Sequence, residues 1–119
     1  VFPKAERIQA SQRILFVLRQ GYKMSSGPLT CYYLPSSANL KHTGGETALN
    51  VAIIVSTKVA KQAVVRNRLR RQAFAILRTY RDTVKGDMIV RYLPGSALLE
   101  FPLIKEHITR CVQSLSRKS

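Results

Sequence analysis

The stretch from Lys58 to Tyr80, KVAKQAVVRNRLRRQAFAILRTY, sets the strongest constraint on the fold. Leu69, Ala73, Ile76, Leu77 and Tyr80 recur at spacings of three and four, and Val65 extends the series backwards. That spacing places them on one stripe of a helix, which must dock on another apolar surface. Arg66, Asn67, Arg70, Arg71, Phe74 and Arg78 are expected on a different arc, with Arg68 at its edge. One face would then dock on a sheet, and the other would present guanidinium groups around an exposed aromatic ring. No Asp or Glu occurs from Thr47 to Arg81, although the span also carries Lys58, Lys61 and Arg81. A solvated helix face normally mixes signs, because like charges at i,i+4 repel. Arg66 and Arg70 are spaced as such a repelling pair. A plain solvated face accounts for charge but not for charge of a single sign. A polyanionic partner accounts for both, and arginine suits it by gripping phosphate with paired N–H donors and by stacking on bases.

The rest of the composition agrees. The chain has 119 residues, enough for one domain over 1–119 with a real core. An apolar content of 45% separates it from a basic disordered tail. The net charge of +14 implies phosphates or an anionic membrane surface as partner. No apolar run approaches the ~18 residues of a spanning helix. No secretory signal is visible, and a cytoplasmic protein is expected. Cys31 and Cys111 lack metal-type spacing and read as reduced, buried thiols, although a disulfide is compatible with the sequence. His42 and His107 stand far apart with no Cys or carboxylate cluster beside them. Neither a protein metal site nor a histidine-based catalytic constellation is expected, and no Gly-rich phosphate loop or nucleophile elbow is present.

Read in order, Val1 to Ala10 is a basic extended arm, and Ser11 caps a short helix over Gln12 to Gln20 that Gly21 stops. Its apolar run, Ile14 to Leu18, exceeds what one core face needs. The helix is either buried on two sides or lines an open groove with part of that run. Tyr22 to Pro28 reads as a turn region. Leu29 to Leu34 is a strand with Leu29, Cys31 and Tyr33 on one face and Thr30, Tyr32 and Leu34 on the other. Pro35 to Glu46 is a polar loop. Thr47 to Ser56 is an apolar and therefore central strand, and the basic helix follows it directly. Asp87 to Tyr92 is another strand. Pro102 opens a last helix to about Leu115, with Leu103, Ile104, His107, Ile108, Cys111 and Leu115 inward. Ser116 to Ser119 is a basic tail. The order is α-β-β-α-β-α, with room for one more short strand between Ala38 and Val51. The succession strand, helix, strand suggests a crossover joining parallel strands.

Residues 63–71, AVVRNRLRR, with Arg66-Asn67-Arg68 at their centre, resemble the signature of the bacterial ribonuclease P protein subunit. The strand ending Val55-Ser56-Thr57-Lys58, the opening Pro3-Lys4 and Arg7-Ile8, the short helix ending at Gly21, and Gly86-Asp87 with Pro94 beyond extend the resemblance over nearly the whole chain. It implies an α/β sandwich of order α-β-β-β-α-β-α. The implied β-α-β crossover is left-handed, against the usual rule. It also implies a ribonucleoprotein that removes the 5′ leader of precursor tRNA, with the active site and its Mg2+ ions on the RNA and none held by protein ligands. Carried over by position, Lys58, Lys61, Arg66, Asn67, Arg68 and Arg71 would contact the catalytic RNA, and Arg70 on the same arc is expected to join them. Phe74 stands where many members have another Arg; it either fills a gap as an exposed ring or stacks on a base or ribose of the RNA, and Arg78 one turn on restores the charge toward the RNA. Ile14, Leu18, Tyr32 and Ser56 would line the leader groove between the first helix and the sheet. Ile14 and Leu18 stand where the family often has Phe, and aliphatic side chains do not stack on bases as aromatic ones do.

Three other readings compete. A ribosomal or general RNA-binding module suits the composition equally well and is separated only by the Lys58 to Arg71 signature directly after a buried strand. A helix-turn-helix DNA-binding protein conflicts with the strands flanking the basic helix. An independent nuclease lacks a catalytic constellation.

Overall fold

The computed structural model describes residues 11–35 and 49–117. Its elements run α1 (Ser11–Gln20), β1 (Tyr22–Ser26), β2 (Leu29–Pro35), β3 (Leu49–Ile54), α2 (Ala63–Arg78), β4 (Gly86–Tyr92) and α3 (Phe101–Ser116), with a 3-10 turn at Ser96–Leu98 before α3. This is the α-β-β-β-α-β-α order that the resemblance implied. The N-terminal arm, the loop over 36–46, the side chain of Ser11 and the last two residues of the tail lie outside the described residues, as does nearly all of the stretch from Ala38 to Val51 where a further strand had room.

The strands lie in the order β1-β2-β4-β3. β1 and β2 form an antiparallel hairpin, β2 and β4 are antiparallel, and β3 runs parallel to β4 across the crossover through α2. Two expectations fail here. Tyr22 to Ser26 is a strand, not a turn, paired from Tyr22 opposite Tyr33 to Ser26 opposite Leu29. It is an edge strand with Tyr22, Lys23 and Ser25 exposed, so no apolar alternation marks it. The turn itself is only Gly27 and Pro28. Gly27 takes φ +56, a left-handed backbone that glycine adopts without strain. Secondly, β3 ends the strand order instead of sitting at its centre. It reads as central because apolar residues fall on both of its faces, with Leu49, Val51 and Ile53 in the cluster shared with α2 and α3, and Ala52 and Ile54 in the cluster beside α1.

Strand periodicity divides the core into two. Leu29, Cys31, Tyr33, Leu49, Val51, Met88, Val90 and Tyr92 pack with α2 and α3. Tyr32, Leu34, Ala52 and Ile89 face the other way and pack with Val17 of α1. The layers are therefore α1, sheet, then α2 with α3. On α2 the buried residues are Leu69, Ala73, Ile76 and Leu77, as its spacing predicts. On α3 they are Ile104, Ile108, Cys111, Val112 and Leu115. Leu103, expected inward, is 45% exposed, because it lies about 100° from Ile104 and off the stripe. Cys31 and Cys111 are buried, free thiols. They are close enough that a hydrogen bond between them, together with burial, pushes the Cys31 thiol well up.

Among the described residues, α1 is seated on one side only. Val17 is buried, Ile14, Phe16 and Leu18 are half-buried, and Leu15 is 49% exposed. The reading of a helix buried on two sides is thereby corrected: among the described residues a single layer, the sheet, lies against α1, and its excess apolar residues remain partly open.

Candidate nucleic-acid interface

α2 begins at Ala63, so Lys58 and Lys61 sit on the turn before it, where Ser56 O accepts N–H bonds from Val59 and Ala60. Ser56, Lys58 and Lys61 are exposed. The outer arc of the helix carries exposed Asn67, Arg71 and Arg78, with half-buried Arg70 and Arg68 at its margins. Arg70 Nη1 donates to Asn67 Oδ1 at 2.9 Å, which fixes one guanidinium on the surface. Arg68 Nη2 donates to Ala97 O at 3.2 Å and ties the helix to the turn before α3. Arg71 and Arg78 have no hydrogen-bond or charge partner among the described residues.

Arg66 does not lie with this group. Three residues before Leu69, it is only about 60° away on the helix, between Ala73 and Leu77. Its guanidinium turns back instead, with Nη1 donating to Ala60 O at 2.9 Å and Lys61 O at 2.8 Å. It thus braces the turn that presents Lys58 and Lys61. Phe74 also departs from expectation. It is half-buried and packed against the core, so the helix face has no exposed ring at its centre.

On the opposite sheet face, the register sets out a grid beneath α1. One row is Leu34, Asp87 and Asn50, the next is Tyr32, Ile89 and Ala52, and the next is Thr30, Arg91 and Ile54. α1 crosses near the first two rows. Arg13 reaches Asp87, and the helix end at Gly21 approaches so closely that an added Cβ would lie 3.0 Å from Tyr33 O. The third row holds exposed Arg91 and half-buried Ile54. β3 leaves the sheet at that same end, into Ser56, Lys58 and the start of α2. The structure therefore brings Ile14 and Leu18 together with Tyr32 on one side of the sheet. Tyr32 is 8% exposed and mainly a packing residue, with Lys23 Nζ 5.9 Å from its ring centre. Ser56 is not packed with these three; it lies beyond the open row, between it and the basic helix.

Sequence reasoning missed Arg13, Lys23, Asp87 and Arg91. Strand register could have found Arg91, since odd positions of β4 share a face with Ile89. Nothing local marks Arg13 and Asp87 as partners across 74 residues. Among the described residues, no group of three or more His, Cys, Asp or Glu could hold a metal ion.

The family model described as Ribonuclease P matches residues 2–116. The ribonuclease P protein component of Dictyoglomus turgidum is 32% identical over 113 residues, covering 92% of this chain and 87% of that one. That of Synechococcus elongatus is 35% identical over 95 residues, covering 78% and 75%. Among solved structures, the RNase P protein of Staphylococcus aureus superposes with a TM-score of 0.78 at 17% identity, covering 93% of this chain and 95% of that one. The Thermotoga maritima RNase P protein gives 0.69 at 19%, covering 94% and 96%. With a match over nearly its whole length and relatives above 30% identity, the chain belongs to the ribonuclease P protein family.

Proposed function

We propose that this chain is the protein subunit of a cytoplasmic ribonuclease P particle that removes the 5′ leader of precursor tRNA, with the chemistry carried by the RNA subunit. The observation that carries the reading is the cationic arc of α2. Its outward guanidinium groups face no acid on their own helix, and Arg71 and Arg78 are left without partners among the described residues. Such groups neutralise phosphates and release counterions. A protein of net charge +14 set between two RNAs relieves their mutual repulsion. In this reading Arg70, Arg71, Arg78, Asn67, Lys58 and Lys61 contact the catalytic RNA, and Arg66 serves by bracing the turn that carries the two lysines. Arg68 contributes charge while tied to Ala97.

The leader lies over the sheet beside α1, along Ile14, Leu18 and the open row with Arg91 and Ile54, toward Ser56. Tyr32 supports that floor more than it stacks. Mg2+ supplies metal-assisted hydrolysis on the RNA in this reading. Asp87, the buried carboxylate of the described residues, is already engaged by Arg13 and Asn50.

The test is cleavage of precursor tRNA at low Mg2+ by a bacterial ribonuclease P RNA, with and without this chain. Correct 5′ cleavage should be rescued by the protein, and the protein alone should leave the substrate intact. Binding to the RNA without rescue would favour a general RNA-binding role. Cleavage by the protein alone would move the chemistry onto this chain.

A further inference from the structure

The contact between α1 and the sheet is mostly apolar, and a buried ion pair interrupts it. Arg13 Nε lies 2.8 Å from Asp87 Oδ2, with the two side chains only 11% and 2% exposed. Asn50 Nδ2 donates to the other carboxylate oxygen at 3.3 Å. The guanidinium carbon is 6.0 Å from the ring centre of Phe16, one turn further along α1. One terminal nitrogen, Arg13 Nη2, is buried with no hydrogen-bond partner among the described residues. A charge buried in this way depends on its counter-charge, since either partner alone would be left desolvated.

Geometry gives the pair a second consequence. α1 has only ten residues and meets a sheet face that it covers in part. At its C-terminal end Gly21 N–H bonds to Val17 O at 2.8 Å, and the chain passes against Tyr33 O so closely that there is no room for a side chain. Near its N-terminal end Arg13 ties α1 to Asp87 of the sheet. Those two points fix the angle at which α1 crosses the strands. That angle decides how much of the row with Arg91 and Ile54 stays open.

We propose that Arg13 and Asp87 are a positioning pair: their ion pair sets the seat of α1 on the sheet, and with it the width of the leader groove. This rests on the reading of that groove given above. Neither side chain touches RNA, because both are buried; they act through Ile14 and Leu18, which α1 carries. The coupling is specific in direction. It affects recognition of the leader and leaves the α2 face, on the far side of the sheet, as it was.

The experiment uses particles reconstituted from a bacterial ribonuclease P RNA and either this chain or its Arg13→Gln, Arg13→Lys, Asp87→Asn and doubly substituted Arg13→Gln/Asp87→Asn variants. Affinity is measured for precursor tRNA bearing its 5′ leader and for the matured tRNA, and the ratio is the readout. A merely structural role would lower the fraction of competent particles and leave the ratio unchanged. The expected result is a ratio reduced roughly tenfold in each single variant, with no further loss in the double. RNA-subunit affinity should hold. Arg13→Lys keeps the charge but loses the planar Nε contact, and it carries the test should Arg13→Gln fail to assemble; its ratio should fall too. A leader preference in the unsubstituted particle that the variants retain in full overturns the positioning role alone. No leader preference in the unsubstituted particle overturns the groove reading, and this inference with it.

Discussion

Arg66 and Arg71 look equivalent in the sequence and are not equivalent in the fold. Arg66 lies on the inward side of α2 and spends its guanidinium on the carbonyls of Ala60 and Lys61. Arg71 is exposed on the outer arc. Replacing Arg71 by Ala should weaken binding to the catalytic RNA, reduce the log–log salt slope by about one, and change stability by less than about 0.5 kcal/mol. Arg66→Ala should weaken binding as well, and also cost about 1–2 kcal/mol of stability through the two charge-assisted hydrogen bonds it loses. A salt titration of affinity, paired with chemical denaturation of the free protein, separates the two. Equal stability of both variants would refute the bracing role. The difference was partly legible. Counting three residues back from Leu69 already puts Arg66 among Ala73 and Leu77. What could not be counted is where a long side chain turns when the sheet beneath it ends, and that depended on a turn whose carbonyls only the fold brings within reach.

Among the elements, legibility followed burial. α2 and α3 are buried on one stripe, so their period appears in the sequence, while β2 is buried at every position and appears as a largely apolar run bounded by Pro28 and Pro35. β2 and α3 lie where the sequence puts them, but α2 starts at Ala63, more than a turn after Lys58, where the helical reading began. β1 is an edge strand held by backbone bonds to β2, and backbone bonds leave no mark on side-chain pattern. β3 was found, but its position in the sheet was misjudged, since burial on both faces tells nothing about which strands lie alongside. The hairpin of β1 and β2 matters because α3 rests on it. Ser26 Oγ and His107 Nδ1 are 2.9 Å apart, and Cys111 Sγ lies 3.9 Å from Met24 O. Gly27 is the point where that contact is tightest. A Cβ there would lie 2.6 Å from His107 Cε1, on a backbone at φ +56. Gly27→Ala should therefore cost roughly 1–3 kcal/mol, through strain at the turn and displacement of the imidazole. Thermal unfolding of Gly27→Ala beside Gly95→Ala checks this. Gly95 also has positive φ but open space around it, so it reports backbone strain without the clash. Equal losses in the two would mean that the ring moves aside freely and that α3 does not depend on the hairpin there.

At the scale of the whole molecule, the excess of positive charge works against the fold that it serves. With 20 Lys and Arg against 6 Asp and Glu, the compact state gathers like charges that the unfolded chain keeps further apart. The pairs that could offset this are few in kind among the described residues. Arg13 with Asp87 is buried and weakly screened, and Arg110 with Glu106 is exposed and contributes little. Stability must then come from the two apolar clusters on either side of the sheet. Like-charge repulsion is the effect that added salt relieves. Raising ionic strength from about 0.05 to about 0.3 M, which shortens the screening length from roughly 14 Å to below 6 Å, should raise the melting temperature of the free protein. The same change should weaken its binding to RNA by orders of magnitude, because counterion release is lost. The two trends have opposite sign and one origin. Substituting Arg71 and Arg78 together by Gln should make both shallower: less salt stabilisation of the free chain, and less salt sensitivity of the complex. Calorimetry across a salt series, with affinity measured in the same buffers, tests the link. A melting temperature that falls with added salt would show that attractive pairs outweigh repulsion in the free protein. The cationic face would then impose no stability cost for the RNA to relieve.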